Sequence, residues 1–133
     1  MIKVEMAAVN QGGKMVVFLS GEIDHHSAKD IRDGIDRLIA EERPKTLVLD
    51  LSGIDFMDSS GLGLVLGRYR RIKELGAEMY LCNTSERVQK ILSLAGVDKL
   101  IKGNIREKIP DSSIVMTKKQ SKSTLGKRLF RSR

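Results

Sequence analysis

Strand-like and helix-like sequence patterns alternate along this chain, and the alternation limits the folds it can adopt. Residues 2–8 and 14–20 have the pattern of two strands, and Gln11-Gly12-Gly13 between them predicts a hairpin turn. Further strands are predicted at residues 46–51 and 78–83, with a short edge strand at 99–101. Helices are predicted at residues 28–43, 60–75 and 86–95. This order predicts an α/β fold in which helices pack against a small mixed sheet containing parallel βαβ units.

Each predicted helix carries apolar residues at the spacing of one buried face. Ser27 is expected to cap the first helix and Pro44 to end it. The residues expected to face inward are Ile31, Ile35, Leu38, Ile39, Leu62, Val65, Leu66, Tyr69, Ile72, Leu75, Val88, Ile91, Leu92 and Ala95. Residues 21–26 are expected to be a connecting segment and residues 52–58 a loop.

The composition is that of a folded protein with one domain. The chain has 133 residues, of which 41% are hydrophobic and 31% charged, and this balance excludes wholesale disorder. A single cysteine, Cys82, excludes a disulfide framework and is expected to be buried in a strand. The apolar runs are far shorter than the roughly 18 residues of a membrane span, and the first residues lack a signal-peptide layout. Cytoplasmic localisation is therefore expected.

The excess of basic residues lies near the C-terminus. The formal net charge is +7, and residues 111–133 carry six of these charges. We predict a domain at residues 1–110, ending at Pro110, and a flexible basic tail at residues 111–133. A solvated tail is the first expectation, and direct DNA binding is not expected. Contact with nucleic acid, or with an anionic membrane through Leu125, Leu129 and Phe130, is a less favoured alternative.

The segment richest in chemistry is Asp55-Phe-Met-Asp-Ser-Ser-Gly-Leu-Gly63, between a predicted buried strand and the most regular helix. Sites in open α/β sheets lie beyond the carboxyl ends of strands, and a helix N-terminus favours anions. Asp58, Ser59 and Ser60 are also ordinary capping residues, so capping alone would explain any one of them. A second serine would be free for phosphorylation, and Gly61 and Gly63 would let another surface approach closely.

Hydrolase and metal-binding interpretations are disfavoured. A serine hydrolase elbow has the pattern Gly-x-Ser-x-Gly, whereas residues 57–61 are Met-Asp-Ser-Ser-Gly and lack the first glycine. His25 and His26 are adjacent, so their side chains are expected to point apart, and no thiolate cluster completes a metal site with them. The Asp24-His25-His26 segment is expected to be a loop facing a partner. Arg68 is expected on the solvent-facing side of its helix, where docking is an alternative to plain solvation.

Two blocks of the sequence resemble a known family. They are Gly21-Glu-Ile-Asp-His-His-Ser-Ala28 and Phe56-Met-Asp-Ser-Ser-Gly-Leu-Gly-Leu-Val-Leu-Gly-Arg-Tyr-Arg70, and they closely resemble the anti-sigma factor antagonists of the STAS-domain family. Within that family the blocks are most similar to the antagonists that act in the pathway of sporulation sigma factor F. The resemblance covers residues 2–108 and implies a single STAS domain, but it does not extend to the tail.

The resemblance implies a regulatory binding protein that is not an enzyme and needs no cofactor. Such antagonists bind an anti-sigma factor that is also a serine kinase, and thereby free a sigma factor. The kinase inactivates the antagonist by phosphorylating the serine after the motif aspartate, which is Ser59 here, and a serine phosphatase is expected to reverse this. The residues expected at the partner surface are Asp24, His25, Asp58, Ser60, Gly61, Gly63 and Arg68.

Two alternatives stay open at this point. The helix end at residues 58–63 could serve as the anion site of a small-ligand or nucleotide-binding module. The chain could also be an interaction subunit in which Ser59 is only a helix cap. The choice between a sporulation and a stress-response pathway is equally open.

Overall fold

The computed structural model describes residues 4–100 and 114–117. Within these residues the elements are β1 (Val4–Gln11), β2 (Lys14–Ile23), α1 (Ala28–Glu42), β3 (Thr46–Met57), α2 (Ser59–Glu74), β4 (Glu78–Cys82), α3 (Glu86–Leu94), a 3-10 turn (Asp98–Leu100) and β5 (Ile114–Thr117). The predicted order of strands and helices is confirmed. The predicted edge strand at 99–101 is wrong at residues 99 and 100, because the chain closes a 3-10 turn there in which the Leu100 N–H donates to the Val97 carbonyl, and residue 101 lies outside the described residues.

The strands form one mixed sheet in the order β4-β3-β2-β1-β5. β1 is antiparallel to β2 and to β5, whereas β3 is parallel to both β2 and β4. The hairpin between β1 and β2 turns at Gly12 and Gly13, whose φ angles of 62° and 89° require glycine-like freedom in a two-residue turn. The predicted mixed sheet with parallel βαβ units is confirmed.

β2 and β3 are both longer than predicted, and together they carry the chain toward the site. Residues 21–23 continue β2 and residues 52–57 continue β3, so these parts of the predicted connecting segment and loop are wrong. The strands keep pairing through two register shifts, ending at Glu22 opposite Phe56 and Ile23 opposite Met57. A Cβ on Gly53 would lie 2.6 Å from the Ser20 Cβ, so this irregular pairing depends on a glycine. Glycine in a strand marks a bulge as readily as a loop.

The core lies between one face of the sheet and the helices. The four predicted positions of α1 are buried, as are Val65 and Ile72 of α2 and Val88 and Leu92 of α3. The rest of the predicted α2 stripe is partly wrong, because Leu66 is 38% and Leu75 61% exposed, and Leu62 and Tyr69 are only partly buried. Ala95, the residue that follows α3, is exposed as well. Cys82 is buried as predicted, beside Val16 and Val48 on the other face of the sheet.

Arg68 of α2 is buried, which contradicts its predicted place on the solvent-facing side of the helix. It is only 9% exposed, because its position coincides with the inward face defined by Gly61, Val65 and Ile72. Its Nε lies 2.9 Å from Oδ1 of Asp36 on α1, so an ion pair links the two helices.

β5 lies inside the segment predicted as a tail. Its four residues pair with β1, from Glu5 opposite Thr117 to Ala8 opposite Ile114. These four residues therefore belong to the sheet and not to a flexible tail. The strand was not predicted because its apolar run, Ile114-Val-Met116, is short and the segment that follows it is rich in basic residues. The remaining residues of that segment, 111–113 and 118–133, lie outside the described residues. Among the residues described, no helix is long and apolar enough to cross a bilayer.

Candidate functional site

The candidate site begins where two parallel strands end side by side. β2 ends at Ile23 and is followed by the loop Asp24–Ser27, and β3 ends at Met57 and is followed directly by α2. The two ends are joined because the Asp58 N–H donates to the Ile23 carbonyl at 3.2 Å. The carboxyl edge of the sheet thus brings the two predicted motifs together, as expected for an open α/β sheet.

The Asp24 carboxylate shapes the first loop. Its Oδ1 accepts the N–H groups of His26 and Ser27, both at 2.9 Å, so the loop turns tightly before α1. Ser27 is the N-cap residue by position, but its side chain makes no capping hydrogen bond. That part of the prediction is wrong because the fully buried hydroxyl instead donates to the Glu22 carbonyl at 2.9 Å and accepts the Asp24 N–H at 3.0 Å.

The loop presents two imidazoles to solvent. His25 and His26 are both exposed, and their ring centroids lie 5.4 Å apart in an edge-to-face arrangement, so the prediction that they point apart is wrong. Among the residues that the structure describes, no group of three or more His, Cys, Asp or Glu side chains could hold a metal ion.

Of the three candidate capping residues, Asp58 is the one that caps α2. Its Oδ1 accepts the N–H groups of Ser60 at 2.8 Å and Gly61 at 3.3 Å, and its carbonyl accepts the Leu62 N–H at 3.1 Å. Three amides of the first turn therefore already have partners within the chain. Ser59, the first residue of the helix, is exposed, whereas Ser60 is partly buried.

The two glycines of the motif differ in their surroundings. Gly61 is buried, and a Cβ there would lie 2.7 Å from the Met57 Cβ and 3.2 Å from Ile23 Cγ2. Gly61 therefore allows α2 to pack on the strand ends, and the prediction that it admits an outside surface is wrong. Gly63 is exposed, and a Cβ there would meet nothing within 4 Å, so its bare backbone faces open space.

A groove of about 450 Å³ joins the loop to α2. It brings together four predicted site residues, His25, Ser60, Gly63 and Arg68. Its walls are completed by Ala28, Lys29, Arg32 and Leu64. Burial lowers the pKa of the Arg68 guanidinium, and Asp36 opposes the effect, but arginine stays charged at neutral pH. This groove is called the α1–α2 groove below.

Lys29 and Arg32 line the groove but were not among the predicted site residues. Both belong to the first five residues of α1 and lie three apart, so they share one helix face, beside the inward face that begins at Ile31. Their charge is partly balanced by Asp33, whose carboxylate lies 3.0 Å from Lys29 Nζ and 3.4 Å from Arg32 Nε. Their helical spacing shows that the two side chains share a face of α1. Only the position of α2 shows that this face lines a groove.

Comparison with known proteins accounts for this arrangement. The STAS domain family matches residues 5–112, which is most of the chain. The chain belongs to the STAS domain family. An anti-sigma F factor antagonist of Paenibacillus polymyxa is 38% identical over 100 residues, covering 75% of this chain and 84% of that protein. The family resemblance inferred from the two sequence blocks is thereby confirmed.

Solved STAS domains share the fold. The anti-sigma factor antagonist SpoIIAA in its unphosphorylated form matches with a TM-score of 0.69 at 30% identity, over 77% of this chain and 89% of that one. The Bacillus cell-fate determinant SpoIIAA in the phosphorylated form matches with a TM-score of 0.64 at 29% identity, over 77% and 92%. The predicted fold class, a single STAS domain with helices packed on a small mixed sheet, is confirmed.

Proposed function

We propose that this STAS domain is an anti-sigma factor antagonist that acts by binding, without catalysis, and is switched off by phosphorylation of Ser59. Its partner would be an anti-sigma factor with serine kinase activity, and a serine phosphatase would restore the active form. Relatives named as anti-sigma F factor antagonists favour a sporulation pathway in the cytoplasm. The surface proposed for the partner consists of the exposed residues of the Asp24–Ser27 loop and of the first two turns of α2.

The observation that carries the proposal is the position of Ser59. Its side chain is exposed at the first residue of α2, while the cap is supplied by its neighbour Asp58. The Ser59 hydroxyl is therefore not needed to cap the helix, which disfavours the alternative that this serine is only a cap. A phosphate there would lie in water at a helix N-terminus, where the helix dipole favours negative charge by up to about 1 kcal/mol.

The same phosphate would oppose binding. It adds about −1.5 to −2 charges at neutral pH, next to the carboxylate of Asp58. Pressing this group into an interface without a matched cation would cost several kcal/mol, and each 1.4 kcal/mol is about tenfold in affinity. Phosphorylation would thus abolish binding and leave the fold intact.

The nucleotide-binding alternative has less support from the geometry. An anion cradle at a helix end needs amide groups that are free to donate. Here the amides of Ser60 and Gly61 already donate to the Asp58 carboxylate, which also places a negative charge at the centre of that cradle.

The test is the affinity of the anti-sigma factor for the unmodified chain, the phosphorylated chain, Ser59→Ala and Ser59→Asp. We expect the unmodified chain and Ser59→Ala to bind similarly, the phosphorylated chain to lose binding, and Ser59→Asp to bind at least tenfold more weakly. Ser59→Ala should also resist the kinase. Ser93→Asp, which adds the same charge at an exposed serine of α3, is the matched control and should bind like the unmodified chain.

Circular dichroism on each variant separates lost binding from lost structure. Tight binding by Ser59→Asp, or stoichiometric phosphorylation of Ser59→Ala at Ser60, would contradict the assignment of the switch. Saturable binding of a nucleotide by the chain alone, together with no affinity for the anti-sigma factor, would favour the small-ligand alternative instead.

A further inference from the structure

We propose that the α1–α2 groove receives an acidic side chain of the anti-sigma factor, so that the binding surface extends from the Ser59 turn onto α1. This inference rests on the function proposed above and adds a contact chemistry to it. The occupant is a carboxylate belonging to the partner protein, inserted between the two helices.

The groove is lined by positively charged side chains. The described residues that line it contribute the cations of Lys29, Arg32 and Arg68, and His25 stands at its edge. The nearby carboxylates, Asp33 and Asp36, form ion pairs with these cations, but they are not among the lining residues. The groove therefore presents cations to whatever enters it and keeps a net positive charge.

Arg68 supplies a buried guanidinium to the groove. The residue is only 9% exposed and lines the groove, and its Nη1 is buried and has no hydrogen-bond partner in the part of the chain that the structure describes. Its ion pair within the described residues joins Nε to Asp36 Oδ1, at 2.9 Å and without hydrogen-bond geometry. A buried donor without a partner costs free energy, and a carboxylate is the group that a guanidinium binds best, often through two parallel hydrogen bonds.

The shape of the groove fits a side chain carried by a protein. The apolar walls at Ala28 and Leu64 suit the methylene stem of an Asp or Glu residue. Ser60 and Gly63 form the rim toward the first turns of α2, so the groove is continuous with the turn that bears Ser59. The open space at Gly63 allows another backbone to come close. A protein seated over Ser59 would therefore cover the groove.

The test is charge reversal at the mouth of the groove, where both side chains are exposed. The variants are Lys29→Glu and Arg32→Glu, which change the second and fifth residues of α1. Arg87→Glu and Lys90→Glu occupy the second and fifth positions of α3, are also exposed, and make matched controls. The affinity of the full chain for the anti-sigma factor is measured by calorimetry at low and high salt, with a thermal melt of each variant.

We expect each groove variant to weaken binding about tenfold at low salt, and the double variant to make binding less sensitive to salt. The control variants should stay within about twofold of the unmodified chain. Groove variants that bind as tightly as the controls, while Ser59→Asp still binds at least tenfold more weakly, would overturn this inference and leave the proposed function standing. No binding by the unmodified chain would overturn both.

Inorganic phosphate distinguishes a free anion from a partner carboxylate. Phosphate that binds saturably to the unmodified chain and not to the double variant, while both have the same affinity for the anti-sigma factor, would assign the groove to a free anion. That result would overturn the proposal as well.

Discussion

Two glycines separated by a single residue show how differently one residue type acts in this domain. Gly61 lets α2 begin directly on the ends of β2 and β3, with Met57 and Ile23 as its contacts. Gly63 faces open space on the exposed side of the same helix. Both occur in the motif that suggested a partner surface, but the structure leaves only Gly63 available to a partner.

Alanine at the two positions should therefore have opposite effects on stability. Gly61→Ala should destabilise the domain by about 1–3 kcal/mol, because the added methyl overlaps the backbone-proximal Met57 Cβ. Gly63→Ala should stabilise it by about 0.5–1 kcal/mol, because alanine is the better helix former and nothing blocks its methyl. Urea unfolding of both variants measures the difference. Equal stability of the two variants would contradict the packing role given to Gly61.

The fold was more predictable from the sequence than the site was. Strand and helix order follows from local spacing, and a cap among residues 58–60 follows from their position before a helical run, although that pattern does not choose Asp58 over the two serines. Arg68 lies on the same helix face as Val65 and Ile72, so helical spacing carried a signal for its burial, but its charge favoured a place in solvent. The groove position of Lys29 depends on how α1 and α2 pack on each other, which no local pattern contains. The extension of β3 to Met57 also depends on a neighbouring strand, because the polar and glycine-containing run at 52–58 is typical of a loop when taken alone.

At the scale of elements, α1 combines a buried apolar face with a charged outer face. Lys29 Nζ donates to Asp33 Oδ2 at 3.0 Å, one helical turn later along α1. This hydrogen bond is the main cause that lowers the pKa of Asp33 below its usual 3.8, while slight burial acts in the opposite direction. Because the pKa is lower in the folded state, the pair stabilises the domain at pH values above 3.8 and loses its effect as the pH falls through the folded-state pKa.

Asp33→Asn should therefore lower the free energy of unfolding at pH 7 but not in strong acid. Both side chains are largely exposed, so solvent screening limits the expected loss to about 0.3–0.5 kcal/mol at pH 7. Lys29→Met should remove most of the same pH dependence, because it deletes the donor. Urea unfolding at pH 7 and at about pH 2.5, well below the ordinary Asp pKa, measures both variants. A loss that persists unchanged in acid would show that Asp33 acts through something other than its charge.

At the scale of the whole molecule, the end of the β-sheet and the start of the basic segment can be located separately along the chain. The sheet includes Ile114–Thr117, which pairs along β1 and protects what would otherwise be an exposed edge strand. The basic residues lie farther on, since residues 118–133 contain seven Lys and Arg and no acidic residue. Residues 1–117 consequently carry no net formal charge. Two truncations can therefore separate the contribution of β5 to stability from that of the basic segment at residues 118–133.

Deletion of residues 118–133 should leave the melting temperature within a degree or two, because it removes no strand or helix of the described structure. Deletion of residues 111–133 also removes β5, and the four lost pairs on β1 should lower the melting temperature by about 4–8 °C, the equivalent of roughly 1–2 kcal/mol for a domain of this size. Differential scanning calorimetry on the full chain and both truncations measures the effect. It should be run dilute and at moderate salt, because a chain without net charge tends to associate.

If both truncations melt like the full chain, then β5 contributes nothing to stability and the domain ends before it. If the shorter deletion alone lowers the melting temperature by several degrees, then residues 118–133 stabilise the domain themselves, and the division between fold and charge is wrong.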